Sequence, residues 1–247
     1  MTSSLLGESM DLSGKSAIVL GGTSGIGLSA VQQLEQAGAA VVAGSRSSTH
    51  IEQAASTTGT SVTYREIDVL DRAALSGLFE DTAPFDILVN CATGGERASG
   101  PFLEMDLDGF QGSFRKLWGY VNSVRLAAEH MAVEGAIVLV SGSPARKSNP
   151  GSSAIATVGN AVEGFVRAIA PEIAPRRINV VAPGLIDTPM FPMQGEGRDR
   201  FFEKATENTL IPRAGTAEEV ASAILFLLQN DYMTGSTIDV EGGALLP

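Results

Sequence analysis

The 247-residue sequence predicts an α/β fold: a doubly wound, seven-stranded parallel sheet with helices on both faces. Three observations predict it. Short apolar runs alternate with segments of helical period, the pattern of parallel strands joined by right-handed crossovers. Some runs, such as Ala136-Ile137-Val138-Leu139-Val140, are apolar at every position, as strands covered on both faces are. The first run leads straight into a helix through a glycine-rich turn, Leu20-Gly21-Gly22-Thr23-Ser24-Gly25-Ile26-Gly27.

Each element follows in order. Residues 1–13 read as a polar lead-in, and Gly14-Lys15 opens the first strand, Ala17 to Leu20. The first helix carries Ile26, Ala30, Val31 and Leu34 on one face. The second strand is Ala40 to Ala43, followed by the loop Gly44-Ser45-Arg46-Ser47, a short helix around Ile51 to Ala55 and a strand from Val62 to Ile67. Asp71 is a good N-cap for a helix with Ala74, Leu75, Leu78 and Phe79 on one face. Phe85 to Val89 is the fourth strand. A long helical stretch runs from about Leu107 to Met131, then comes the strand Ala136 to Val140 and a second long helix, about Ser152 to Ile173. Ile178 to Val181 is the sixth strand, ended by Pro183-Gly184. Pro189 to Thr209 has no strong period and reads as a mobile helical flap. Thr216-Ala217-Glu218-Glu219 is a capping box that starts a helix through Val220, Ile224 and Leu228, and Thr237 to Val240 is the last strand. No linker, repeat or low-complexity tract interrupts this order, so residues 1–247 read as one domain.

Composition narrows the function classes. Apolar residues at 44% and charged residues at 18% describe a globular chain rather than a disordered one. A net charge of −11 argues against a nucleic-acid partner, and it means that any bound anion is held by local groups. No apolar run reaches the length of a membrane span, and Met1 to Met10 has no basic residue of the kind a signal or transit peptide carries. A soluble, cytoplasmic protein is the expectation. Cys91 is the only cysteine, which excludes an internal disulfide and suits a reducing compartment. His50 and His130 lie far apart, and no cluster has metal-ligand spacing.

The glycine turn is where chemistry begins. Gly21 lets the chain leave the strand sharply, Gly25 lets a pyrophosphate approach the backbone, and Gly27 lets the helix pack against the sheet. The N–H groups of the helix N-terminus, with its positive dipole end, then face phosphate. The alternative is a tight turn that binds nothing. Ser45 and Arg46 sit just past the second strand, facing the adenosine ribose in a dinucleotide fold. No acidic residue lies between Ala39 and His50 to accept from a 2′-hydroxyl, whereas Arg46 can bond a 2′-phosphate. This favours NADP(H); the alternative for Arg46 is a solvated surface side chain.

The G-x-x-x-G-x-G spacing resembles the short-chain dehydrogenase/reductase family, whose loop usually reads T-G-x-x-x-G-I-G, with Leu20 in place of the threonine. The resemblance runs along the whole chain. Asp68-Val69 resembles the family's adenine-contacting pair. Asn90-Cys91-Ala92-Thr93 matches N-N-A-G at Asn90 and Ala92 but departs at Cys91 and Thr93. Cys91 reads as a small buried residue rather than a nucleophile, with no base near it. Pro183-Gly184-Leu185-Ile186-Asp187-Thr188 resembles P-G-x-I-x-T, which contacts the nicotinamide carboxamide, and Val240-Glu241-Gly242-Gly243 resembles V-D-G-G. The resemblance implies a doubly wound (Rossmann) fold. It also implies a cofactor site built from Gly21, Thr23, Ser24, Gly25, Ile26, Gly27, Ser45, Arg46, Asp68, Val69, Asn90, Ala92, Pro183, Gly184, Ile186 and Thr188.

The family's four catalytic positions read differently here. Anchored on Glu163-Gly164-Phe165 and Val180 to Thr188, the tyrosine position falls on Ile155, the lysine on Gly159, the serine on Gly142 and the asparagine on Lys116. No gap restores them: no tyrosine lies between Tyr120 and Tyr232, and Lys147 precedes the helix. Lys116 and Tyr120, four apart, share a helix face. Tyr120 reads as a core or interface aromatic. Ser141 and Ser143 flank the missing serine, and turn chemistry competes with carbonyl binding for their role. Lys116 brings a cation from the opposite helix to the space that Gly159 leaves. The alternative is an ammonium that snorkels to the surface. The catalytic candidates are Lys116 and Ser143.

The resulting expectation is an NADP(H)-linked oxidoreductase with a non-standard site, acting on a small carbonyl, alcohol or enone. Its pocket falls in Gly94 to Met105 and Pro189 to Thr209. A rival reading is a non-catalytic NADP(H) sensor or an inactive subunit of a hetero-oligomer. The family resemblance implies a homo-oligomer, a tetramer, with the two long helices pairing across one interface and the last helix and strand across another. Ala154, Ala156, Ala161 and Gly164 would permit close packing there.

Overall fold

A computed structural model describes residues 11–95 and 97–246. In chain order the elements are β1 (Ser16–Leu20), α1 (Gly25–Gln36), β2 (Ala40–Ser45), α2 (Ser48–Ala55), β3 (Val62–Glu66), α3 (Arg72–Thr82) and β4 (Phe85–Asn90). Then come α4 (Leu107–Ser113), α5 (Arg115–Ala127), β5 (Met131–Val140), α6 (Ser153–Ile173), β6 (Arg177–Pro183) and β7 (Ile186–Asp187). The chain closes with α7 (Glu196–Thr206), β8 (Gly215–Thr216), α8 (Ala217–Gln229) and β9 (Thr237–Val240).

The seven-stranded sheet has the order β3-β2-β1-β4-β5-β6-β9, and every neighbouring pair is parallel. The order reverses beside β1, which lies between β2 and β4. In a doubly wound sheet that point opens a crevice beyond the carboxyl ends of the strands. Alternation along the strands explains their continuous apolar character. Ala17 and Val19 face one core, with α1 and α8; Ile18 and Leu20 face the other, with α3, α5 and α6.

Capping sets several boundaries as the sequence implies. The Asp71 carboxylate accepts from the N–H groups of Ala73 and Ala74. Thr216 and Glu219 form a reciprocal capping box at α8.

One expectation is corrected, one feature was not foreseen, and the helical flap takes a definite form. The helical stretch from Leu107 to Met131 is two helices broken at Phe114, and Met131 belongs to β5. Gly109 and Gly112, within the seven residues of α4, weaken its helical propensity. A second, two-stranded sheet, β7 with β8, was not foreseen, because strands of two residues carry no period. The flap holds a regular helix, α7, tied down by Arg198. Its guanidinium bonds the Asp187 carboxylate and the carbonyls of Thr188, Phe191 and Met193, and stacks on Phe202. Phe191, Phe201 and Phe202 form an aromatic cluster beneath it. The expected lead-in lies outside the described residues up to position 10.

Candidate active site

A cleft of about 1540 Å³ runs along the carboxyl ends of the strands, bounded by the β1–α1 turn, the loop after β2 and the ends of β4, β5 and β6. Single-ligand pockets are usually roughly 300–1,000 Å³, so this one has room for a dinucleotide and a second molecule.

The β1–α1 turn is built by close approach. A Cβ on Gly27 would lie 2.0 Å from the Gly21 carbonyl oxygen, so only glycine lets α1 begin there. Ser24, the residue that starts α1, makes no side-chain capping bond, and no acidic residue sits in the first turn. The first N–H groups of α1 are thus available to an anion in the cleft. Gly21, Thr23, Ser24, Gly25, Ile26 and Gly27 all line it, as do Ser45, Arg46, Val69, Ala92, Pro183, Gly184, Ile186 and Thr188.

Two of the expected cofactor residues do not line the cleft, and each has a structural task. The Asp68 carboxylate accepts from the Leu70 N–H at 2.9 Å, turning the chain toward α3. Asn90 is fully buried; its amide donates to Ser123 Oγ at 2.7 Å and its Oδ1 accepts from the Ala92 N–H at 3.0 Å. Asn90 thereby fixes the chain that carries Ala92 into the cleft.

The inner end of the cleft holds Lys116, Gly142, Ile155 and Gly159, the positions that the sequence reading matched to the family's catalytic ones. Ile155, on the first turn of α6, lines the cleft, and behind it a small recess is bounded by Lys116, Gly159, Ile155, Ser141 and Arg97. A Cβ on Gly159 would stand 3.0 Å from the Ala145 Cβ, so the turn after β5 packs closely against α6 at this position.

Lys116, on the first turn of α5, is half-buried and does not snorkel outward. Its Nζ donates to the Ser141 carbonyl at 3.2 Å and stands 5.6 Å from the Tyr120 ring centre. Desolvation first, and the neighbouring Arg97 guanidinium second, pull its pKa down to about 7. Tyr120 is a core residue: it is fully buried and donates to the Val140 carbonyl at 3.0 Å. Desolvation pushes the Cys91 thiol up to about 12, so it is an inert lining residue.

The two serines separate. Ser141 is buried and its hydroxyl donates to Glu163 Oε1 at 2.9 Å. Arg146 grips both Glu163 oxygens, at 2.9 and 3.1 Å, and also reaches Asp239 at 3.1 Å. This network, buried at Ser141 and Glu163 and open to solvent at Arg146 and Asp239, ties the end of β5 to α6 beside the carbonyl that receives Lys116. Ser143 opens the 3₁₀ turn Ser143–Ala145, and its hydroxyl meets no protein partner among the described residues. Of the pair, Ser143 is the one with a hydroxyl to offer.

Sequence reasoning missed Arg97 and the Glu163–Arg146–Asp239 network. Arg97 left one signal: it is the only basic residue in Gly94 to Met105, the loop after a strand at the crevice. Among the described residues, no cluster could hold a metal and no helix is long and apolar enough to cross a membrane.

The whole cleft falls inside a wider likeness. Residues 21–244 match the family model described as Enoyl-(Acyl carrier protein) reductase. The 3-oxoacyl-[acyl-carrier-protein] reductase FabG of Aquifex aeolicus is 31% identical, over 94% of this chain and 98% of its own. Galactitol 2-dehydrogenase of Rhizobium johnstonii is 34% identical, over 94% of this chain and 95% of its own. A solved small-chain dehydrogenase in complex with NADPH superposes with a TM-score of 0.81 at 31% identity, over 95% of this chain and all of its own. The chain belongs to the short-chain dehydrogenase/reductase family.

Proposed function

We propose that this protein is an NADP(H)-dependent oxidoreductase with a non-standard active site, acting on a small carbonyl, alcohol or enone. Lys116 and Ser143 take over from the family's asparagine, serine, tyrosine and lysine, whose positions are Lys116, Gly142, Ile155 and Gly159. The observation that carries the reading is the Lys116 ammonium. It stands in the recess beside Gly159, anchored on Ser141, with a pKa of about 7.

The cleft fits the cofactor by the open N-terminus of α1 and the close glycine packing beneath it. Thr23, Ser24, Gly25, Ile26 and Gly27 would hold the pyrophosphate, and Ser45 with Arg46 the 2′-phosphate. Gly21, Val69 and Ala92 would border the adenosine half, and Pro183, Gly184, Ile186 and Thr188 the nicotinamide. When bound, NADPH supplies a hydride for the substrate carbon. Lys116 donates a hydrogen bond and then its proton to the substrate oxygen, and solvent restores that proton. The Ser143 hydroxyl polarises the same oxygen. Ile155 covers the reacting face with an apolar side chain that keeps water away.

The reading treats residues 1–247 as one dinucleotide-binding domain. It also takes the assembly to be a homo-tetramer. Trp118 on α5, Phe226 on α8 and the nearly fully exposed Tyr232 support it as apolar surface for two interfaces. The test is NADPH consumption against a panel of ketones, aldehydes and enones, with calorimetric titration of the cofactor alongside. Turnover of at least one class, with tight NADPH binding, is the expected result. Tight binding with no turnover across the panel would overturn the enzymatic reading.

A further inference from the structure

Arg97 and Lys116 converge on the inner end of the cleft: both line the cleft and the recess behind Ile155. Gly94 makes this possible. It has φ +74°, and a Cβ there would lie 2.6 Å from the Arg115 carbonyl carbon and 2.7 Å from the Lys116 nitrogen. The loop after β4 therefore rests directly on the first turn of α5. On the other side of Arg97, the Ala98 N–H donates to Ser113 Oγ at 2.9 Å. The chain thus carries Arg97 between two anchored positions, and the residue is half-buried.

Among the described residues neither cation forms an ion pair; Glu163 pairs with Arg146 and Asp187 with Arg198. Two like charges brought together and partly dehydrated oppose each other, and each lowers the other's tendency to stay charged. An anion placed between them offsets that repulsion. A protein of net charge −11 repels small anions at long range, so capturing one requires such a local pair.

We propose that this inner end binds a carboxylate carried by the substrate, with Arg97 as its main partner. The substrate is then a carbonyl compound with its carboxylate next to the reacting carbon, a 2-oxo acid or the corresponding 2-hydroxy acid. Arg97 presents two parallel N–H groups to the carboxylate, a match that a lysine cannot reproduce. Lys116 is left to the adjoining carbonyl oxygen. The choice of a carbonyl compound rests on the oxidoreductase reading above; the anion site rests on the geometry of Arg97 and Lys116 alone.

The test is calorimetric titration of the NADP⁺-saturated protein with benzoylformate and with its methyl ester. Benzoylformate should bind at least about tenfold more tightly than the neutral ester. Arg97→Met should erase that difference while NADP⁺ affinity, which reports an intact fold, stays the same. Arg97→Lys should recover part of it. Equal binding of acid and ester, no measurable benzoylformate binding, or an undiminished preference in Arg97→Met would overturn the proposal. Turnover of the two compounds with NADPH reads the oxidoreductase reading separately. Discrimination without turnover leaves the anion site standing and removes the enzyme. Ester turnover without discrimination does the reverse.

Discussion

The two ends of the cleft are built on different principles. At the β1–α1 end the work falls to backbone: glycines that let chain segments touch, and N–H groups at the start of a helix. Such a site tolerates few changes, since a single Cβ at Gly27 collides with Gly21. At the β5–α6 end the work falls to side chains that reach in from several elements. There one cation can leave α6 and another arrive from α5 without moving either helix. On the reading proposed above, the backbone-built end holds the cofactor and the side-chain end carries the reacting groups.

Substitutions at the two ends should therefore fail in different ways. The largest effect belongs to Gly27→Ala. With the nearest atom at 2.0 Å, it should exceed the roughly 1–3 kcal/mol typical of overpacking and abolish measurable NADPH binding. Thermal unfolding with cofactor titration checks both. Lys116→Met should lower kcat by about 10²–10⁴-fold, the usual weight of a general acid, with NADPH affinity nearly unchanged. A loss of cofactor affinity equal to the loss of turnover would assign Lys116 to the cofactor instead. Arg46→Ser is the smallest. It should weaken NADPH by roughly 10–100-fold and leave NADH unaffected, as removal of one charge-assisted bond does. Equal effects on the two cofactors would end the 2′-phosphate assignment.

The same division explains what the sequence made legible. The alternating strands and helices, the glycine turn, the Asp71 cap and the Thr216–Glu219 box are local patterns, and the structure reproduces them. The cofactor end comes from short segments that each follow a strand, and fourteen of its sixteen expected residues line the cleft; Asp68 and Asn90, drawn into local hydrogen bonds, do not. The inner end is assembled from α5, α6, β5 and the loop after β4. Lys116 could be foreseen there only because its position relative to Gly159 is fixed by helix packing. Arg97 depends on how Gly94 seats a loop on α5, and no spacing in the sequence encodes that contact. Glu163 was legible as an anchor of the alignment but not as the partner of Ser141 and Arg146. The break at Phe114 was missed because apolar period continues across it; there the ladder only tightens, the Phe114 N–H donating to the Gln111 carbonyl three residues back.

The central claim is that Lys116 has replaced a tyrosine as proton donor, and the pH dependence of carbonyl reduction tests it most directly. Burial and Arg97 place the ammonium near pH 7, far below an ordinary lysine. The other titratable groups around it, Cys91 after β4 and Tyr120 on α5, are both pushed up and stay protonated and uncharged through neutrality, and Arg97 stays protonated. The protonated form is the active one in reduction. The rate at low substrate should thus be level below pH 7 and fall about tenfold per unit above it. In Lys116→Met the residual rate should lose that fall. A rate that stays level to pH 9, or the same fall near pH 7 in both proteins, would contradict the assignment.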